Sequence, residues 1–401
     1  MIKPSDETYL PYHLDKIYDY NGPFQTAVPI AEHYGFRLVQ PIVTSSTKSP
    51  SKITLDHKFN VLEHYLDNKE ELSSPSLICH TFNAKKKNGY LNLDIYGAGD
   101  SFVETLLLKT AFEILSKETK KDLWIEINSF GSTESFNRFE GELSKFVKKN
   151  LHKFSDEHQD KIKENPFFLY QLQVDSIEED DYRETIEDVL IHRPRPVAHL
   201  SEACRIHLKD LLEHLEETGM PYHLNPYLFP RSDKHAETVY TIADTESGDV
   251  LAYGERFSTQ ARTHAQKILA DKDNEVDCAA ITIQLSAGKA EKYTKAKKDM
   301  ACKLYFAHSG AIAKRNTLRI LEQLRDAKLE CKHAVIKNSL REQLHHAERN
   351  QFPLTLILGV KEVQDGTIII RNNLANRQKA VPQSRMCSYI KRQLKSLKNK
   401  A

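Results

Sequence analysis

The last hundred residues constrain the fold most. From Cys302 onward, short apolar runs alternate with longer amphipathic stretches: "CKLYFAH", "IAKRNTLRILEQLRDAK", "CKHAVI", "SLREQLHHAERN" and "LTLILGV". A strand-like "DGTIIIR" and a terminal amphipathic stretch complete the set. Strands separated by helices predict a compact, largely parallel α/β domain of about one hundred residues. Just upstream, "SAGKAEKYTKAKKD" (286–299) is small, charged and free of large aliphatics, and reads as a linker. Its "AGK" lacks the earlier Gly and the following Ser or Thr of a phosphate loop.

The preceding 285 residues read differently. "FQTAVPIAEHYGF" puts Ala27, Ile30, Ala31 and Tyr34 on one helical face, with Gly35 as the stop and "RLVQPIV" continuing as a strand. "VETLLLKTAFEILSK" carries the stripe of a packed amphipathic helix, and "DLWIEIN" alternates as a half-buried strand does. Helices follow at "SFNRFEGELSKFVKK" and at "LSEACRIHLKDLLEHLEETG", the latter closed by Gly219. "TVYTIAD", "TESG" and "VLAYGERF" spell a hairpin. The acidic run "DSIEEDDYRETIED" lacks the glycine and spacing of a calcium loop and reads as a solvated helix face or loop. His207 and His214 stand at helical spacing without the carboxylate of a zinc motif.

The 401 residues are 40% hydrophobic and 28% charged, enough for two or three domains with a real core. No run approaches the roughly 18 apolar residues that span a membrane, and the first residues show no targeting pattern. Six scattered cysteines form no CxxC pair, so reduced thiols in a cytoplasmic chain are expected, with no metal site. The formal net charge of +1 conceals a split: from Lys297 to the end there are 22 Lys+Arg against 8 Asp+Glu, and the remainder carries −13. A basic half of this kind points to a polyanion partner.

Taken in order, the blocks resemble histidyl-tRNA synthetase, a class II aminoacyl-tRNA synthetase, over roughly residues 24–395. "AEHYGFRLVQPI" is similar to the first class II motif, "INSFGS" and "ENPF" to the family's "INSLGD" and "NPLR", and "TLILGVKEVQDGTIIIRN" to its anticodon-binding domain. The resemblance implies an α+β fold: a class II antiparallel sheet flanked by helices in residues 1–285, with a helical insertion around 150–218. The linker 286–299 and an anticodon-binding-like α/β domain at 300–401 would follow.

The activation motifs depart from that pattern. The family's "LVRGLDYYTGTVFEI" falls on "LFPRSDKHAETVYTI", so Pro230 replaces the arginine that faces the ATP α-phosphate. Lys234 and His235 replace two tyrosines, and Ala236 and Glu237 a Thr-Gly pair. "GGGRYDGL" becomes "YGERFSTQ", keeping Gly254, Arg256 and the aromatic Phe257. The second motif's arginine becomes Asn83, its loop shrinks to "AKKKNG", and "LRPEGT" becomes "LDHKFN". "AAITIQLS" replaces the glycine-rich strand of the third motif. Arg231 lies one residue from the lost arginine. A bulge would re-aim it, whereas a plain one-residue shift on a strand points it to the opposite face.

The resemblance therefore implies a synthetase paralogue that has lost amino-acid activation and needs no cofactor. Asn83, Asp94, Arg231, Asp233, Gly254 and Arg256 would line the degenerate substrate pocket. ATP and Mg²⁺ enter only under the alternative of a divergent but active histidine–tRNA ligase. A regulatory subunit of a histidine-related enzyme is the third class of reading. The expected partner is tRNA or another structured RNA, met by Lys314, Arg315 and Arg319 near one end of a helix and by Lys391, Arg392 and Lys395 in the tail. A homodimer is expected through Tyr34, Phe36 and Pro41.

Overall fold

Helix α2 (Phe102–Glu118), the predicted "VETLLLKTAFEILSK" segment, is buried around nearly its whole circumference. One stripe would suffice for a surface helix. Here Glu104, Lys109 and Glu113 are buried as well, because α2 is sandwiched between a sheet and the C-terminal domain. The computed structural model describes residues 24–38, 59, 61–63, 65–66, 75–84, 88–172, 177, 179–230, 235–268, 276–286 and 302–398.

Among the described residues the first sheet has eight strands: β1 (Arg37–Leu38), β2 (Ser76–Ala84), β3 (Asn88–Tyr96), β4 (Leu123–Ser129), β5 (Tyr222–Leu224), β6 (Thr238–Asp244), β7 (Val250–Arg256) and β8 (Cys278–Ser286). Their order is β1-β2-β3-β8-β7-β6-β4-β5. The six central strands run antiparallel, and only the short edge strands β1 and β5 pair in parallel. Period-two alternation divides the side chains. Leu91, Leu93, Ile95, Ile281, Ile283, Tyr240 and Ile125 join one core cluster with α2 and helix α1 (Phe24–His33). Asn92, Asp94, Thr282, Tyr253 and Glu255 occupy the alternate positions. The first helix ends at His33, and Gly35 makes the turn at φ +90°.

A helical region interrupts this sheet between β4 and β5: α3 (Thr133–Asn150), α4 (Asp156–Glu164), α5 (Asp180–Ile191) and α6 (Glu202–Thr218). Serines cap three of the four. Ser132, Ser155 and Ser201 each accept a backbone N–H three residues on, satisfying donors that a helix start leaves orphaned. Phe139, Leu143, Phe154, Ile162, Ile186 and Val189 give the region its own core. Part of the acidic run forms the first turns of α5, where carboxylates suit the helix N-terminus. Helix α7 (Ser258–Ile268) follows β7.

The C-terminal sheet has the order β10-β9-β11-β12-β13, from β9 (Leu304–His308), β10 (Lys332–His333), β11 (Leu354–Leu358), β12 (Thr367–Asn372) and β13 (Arg377–Pro382). Helices α8 (Ala311–Asp326) and α9 (Leu340–Arg349) link the three parallel strands; α10 (Val360–Gln364) and α11 (Met386–Lys398) complete the domain. The predicted parallel unit is therefore present, with an antiparallel β12–β13 hairpin added. Strand β13, "RQKAVP", escapes sequence reading because only Val381 turns inward and the other five side chains are exposed. Nearly all of the 286–299 linker lies outside the described residues.

Helix α8 docks on the first domain. Lys109 Nζ reaches Glu322 Oε2 at 2.8 Å, Arg325 reaches Glu113 at 2.6 Å, and His33 Nε2 donates to Leu321 O at 2.8 Å.

Candidate functional site

The polar face of the eight-stranded sheet gathers buried ionisable side chains of the first domain. Its centre is a hydrogen-bonded row fixed by strand register: His80 opposite Asn92, Asn92 opposite Thr282, and Thr282 opposite Tyr253. Thr282 Oγ1 donates to Asn92 Oδ1 at 2.5 Å, and Asn92 Nδ2 donates to Asp94 Oδ2 at 2.7 Å. His80 Nδ1 lies 3.4 Å from the same carboxylate. One step along, Tyr253 Oη donates to Glu255 Oε2 at 2.8 Å. Asp94, Glu255 and His80 are all buried. The face is therefore furnished with acids, amides, hydroxyls and an imidazole.

Cations are scarce on the described strands of this sheet. Across β2, β3, β4, β6, β7 and β8 the sole Lys or Arg is Arg256. Its side chain leaves the opposite face and enters the core beneath α2. There Nε and Nη2 donate to the two oxygens of Glu104, each at 2.6 Å, and Nη2 also donates to Asp100 O at 3.0 Å. His207 Nε2 donates to Glu104 Oε1 at 2.8 Å. Burial alone would raise the Glu104 pKa, but the charges of Arg256 and His207 outweigh it and hold the group down at about 2. Burial works against the Arg256 charge as well; Glu104 more than compensates and raises its pKa. A bidentate, desolvated pair of this kind commits the Nε and Nη2 donors to Glu104 and to the backbone.

Gly254, two residues earlier on the same face, has a packing role. A Cβ there would collide with the Tyr240 ring and stand 2.5 Å from Ala280 O. The signature's retained glycine and arginine thus serve the core.

Glu237 stands where close approach to substrate would require glycine. Its Oε1 accepts the Thr259 N–H at 2.6 Å and the Thr259 hydroxyl at 2.5 Å, at the first turn of α7. A helix N-terminus is a ready anion site, and the chain's own carboxylate takes it. Burial pushes the Glu237 pKa up. Beside it, Ala236 is buried in the aromatic core of the helical region, and His235 lies 4.6 Å from the Phe136 ring with its pKa lowered by burial. Phe229, immediately before Pro230, packs 4.2 Å from the Tyr170 ring. Apolar packing thus anchors the chain at Phe229 and again at Ala236.

The residues expected to share a pocket do not converge. Asn83 pairs with Gly89, whereas Asp94 pairs with Ile78, five residues away along β3 or roughly 17 Å at strand rise. Gly254 and Arg256 serve the other face. Arg231 and Asp233 lie outside the described residues, as do most of the "LDHKFN" block and the centre of the "AKKKNG" loop. His80, Asn92 and Glu255 form the polar face with Asp94 and were missed. Their signal was polar residues at alternate positions of an otherwise apolar strand, as in "YLNLDIY".

Two of the six expected RNA-binding cations, and the two described residues of the expected dimer contact, are placed differently from the expectation. Lys314 is 8% exposed, with Nζ 2.6 Å from Asp100 Oδ2 and 3.0 Å from Asn338 Oδ1. Arg315 bonds Glu213 at 3.0 Å and approaches Glu217 at 3.6 Å. Both clamp α8 to the first domain instead of facing a polyanion. Arg319 is exposed and bonds Gln383, while Lys391, Arg392 and Lys395 are exposed on α11. Tyr34 and Phe36 are buried within the chain's own core, Tyr34 Oη donating to Glu113 Oε1 at 2.5 Å. They therefore offer no side chain to a second subunit, and Pro41 lies outside the described residues.

Comparison with known proteins agrees with this architecture. Residues 308–393 match the anticodon binding domain family. A histidine–tRNA ligase of Halothermothrix orenii is 21% identical over 290 residues, covering 72% of this chain and 66% of that protein. One of Symbiobacterium thermophilum is 22% identical over 75% of this chain and 68% of its own length. The chain thus spans about two thirds of these relatives. Among solved structures, apo histidyl-tRNA synthetase of S. aureus aligns over 82% of this chain and 80% of that one at 17% identity, with a TM-score of 0.41. The ATP phosphoribosyl transferase complex of Thermotoga maritima aligns over 65% and 97% at 17% identity, with a TM-score of 0.40. With an anticodon binding domain at its end and histidine–tRNA ligases as relatives over about three quarters of its length, the chain is a histidyl-tRNA synthetase-like class II protein.

Proposed function

We propose that this chain does not activate amino acids and acts as an RNA-binding or regulatory relative of the synthetases. The observation that carries the reading is the fate of Arg256, the one Lys or Arg on β2, β3, β4, β6, β7 and β8, which pairs with Glu104 on the opposite face of the sheet. Adenylation builds negative charge on the α-phosphate, and each preorganised donor there is worth about 2.7–4 kcal/mol. Removing two or three costs roughly 10⁴-fold or more in rate. Asp94 and Glu255 on the vacated face add repulsion towards a triphosphate. The residues present do not fit ATP, and the reading calls for neither ATP nor Mg²⁺.

RNA binding falls to the outer side of the C-terminal domain. From Gly366 to Ala401 there are nine Lys or Arg and no Asp or Glu. Arg377, Lys379, Lys391, Arg392 and Lys395 are exposed on β13 and α11. Tyr389 lies among them, its ring centroid 5.8 Å from Lys379 Nζ and 5.5 Å from the Arg392 guanidinium. Cations around an aromatic ring suit phosphate binding combined with stacking on unpaired bases. Phosphate binding alone positions RNA without reading its sequence.

Histidine-dependent ATP–pyrophosphate exchange on the purified chain tests the catalytic half of the reading. The expected result is background exchange at millimolar ATP. Robust exchange that disappears on Arg231→Ala would establish the divergent active ligase instead.

A further inference from the structure

A cleft of about 240 Å³ lies at the seam of the two domains, between the edge strand β1 of one sheet and β10 of the other. Gly35, Arg37 and Leu77 line it from the first domain, and Tyr305, His333, Lys337 and His346 from the second. Its size is below the ~300–1,000 Å³ typical of sites for drug-sized molecules, and suits a single small ligand.

Three features of the wall are unspent. His333 Nε2 donates to His33 O at 2.9 Å, which leaves Nδ1 as a lone-pair acceptor, buried and without a hydrogen-bond partner among the described residues. Burial lowers its pKa to about 4, so the ring is neutral near pH 7 and Nδ1 calls for a donor. Tyr305 is fully buried, and its Oη likewise has no partner among the described residues. A buried polar atom without a partner is unfavourable, and a ligand supplying the missing bond relieves that cost. At the mouth, Arg37 and Lys337 make no ion pair among the described residues, and the exposed His346 ring lies 5.5 Å from the Tyr305 ring.

We propose that this seam cleft binds a mononucleotide unit, its phosphate held by Arg37 and Lys337, a sugar hydroxyl donating to His333 Nδ1, and its base lying against the Tyr305–His346 ring pair. The cation pair, His333 Nδ1 and the ring pair each have one counterpart in that ligand. Gln343, which also lines the cleft, keeps its shape by donating to His308 O and Lys337 O and accepting from His308 N. Gly35 is required because a Cβ at its positive φ would stand 3.0 Å from the His333 ring. Since the walls come from two domains, occupancy stiffens the seam. The nucleotide is either free or an unpaired residue of an RNA.

Calorimetric titration of the full chain with AMP, adenosine and a short unstructured RNA oligonucleotide tests this. AMP is expected to bind about tenfold or more tightly than adenosine, which lacks the phosphate. The Arg37→Ala/Lys337→Ala double variant is expected to lose about tenfold in AMP affinity while keeping its melting temperature, since both side chains sit at the mouth. His346→Ala checks the ring platform separately. Displacement of AMP by the oligonucleotide, abolished in the double variant, identifies RNA as the source. AMP binding without such displacement identifies the free nucleotide. AMP binding no tighter than adenosine, or unchanged in the double variant, overturns the proposal.

Discussion

On the eight-stranded sheet, the polar face carries Asp94, Glu255 and His80, while Arg256 points the other way. On the C-terminal domain, the β12–β13 hairpin and α11 carry cations without a single intervening acid. Under the proposed reading, the two regions would differ in what they offer a phosphate-bearing ligand: acids on one, cations on the other. Shape is retained in both; electrostatics is retained in one. Similarity of fold therefore says little about which of two phosphate-handling surfaces still works.

The sharpest way to break the comparison is at Glu104. Glu104→Gln leaves Arg256 buried without its counter-charge, and the expected loss is about 3–5 kcal/mol by urea denaturation. A Glu104→Leu/Arg256→Met double variant should recover most of it. If Glu104→Gln were thermodynamically silent, Arg256 would be free to serve the substrate face and the contrast would collapse.

A smaller expected effect comes from acid. His308 and His333 are held neutral by burial, with pKa values lowered from 6.5 to about 4. Lys314 and Asp100 face His308, while His33 and Lys332 face His333. The unfolded chain protonates first as pH falls, so stability declines between pH 6.5 and 4 and levels off below. Each histidine contributes up to roughly 3 kcal/mol. The stabilisation from the Glu104 pair is present above pH 4.5 and is lost progressively as pH falls from there to about 2. Denaturation followed by Trp124 fluorescence and by C-terminal amide exchange should show the C-terminal domain and seam loosening while the first sheet holds. Simultaneous loss of both would contradict the assignment.

The smallest effect separates the two kinds of cation. Replacing Lys379, Lys391, Arg392 and Lys395 with Ala should lower the log–log salt slope of RNA binding by about 0.7–0.9 for each phosphate that the variant no longer neutralises. Arg315→Ala should leave that slope unchanged and cost at most about 1 kcal/mol of stability, because its pairs with Glu213 and Glu217 are partly solvated. An equal drop in slope for both variants would show that α8 also meets RNA.

Sequence reading recovered the elements whose physics is local. The helix stripe of 103–115, the Gly219 stop at φ +69° and the hairpin around "TESG" all follow from periodicity and turn chemistry. Side-chain destinations were a different matter. Lys314 and Arg315 look like a basic patch in one dimension, and only the docking of α8 against Asp100 and Glu213 shows them occupied. Arg256 looked like a pocket cation because nothing local reveals which face of β7 meets Glu104, 152 residues earlier. Strand β13 was missed because an edge strand with one inward residue has no alternation to read.

The Glu237 carboxylate has a consequence for any attempt to restore catalysis by substitution. A glycine there would open the backbone to a phosphate, but it would first strip two partly buried donors of Thr259 of their acceptor, at about 1 kcal/mol each. Installing an arginine at Pro230 alone would place a guanidinium beside the Phe229–Tyr170 packing with the α7 N-terminus still blocked. If the proposed loss of activation holds, both of these substitutions would cost stability before anything is gained. The local packing works as a ratchet, and the way back requires several coordinated changes.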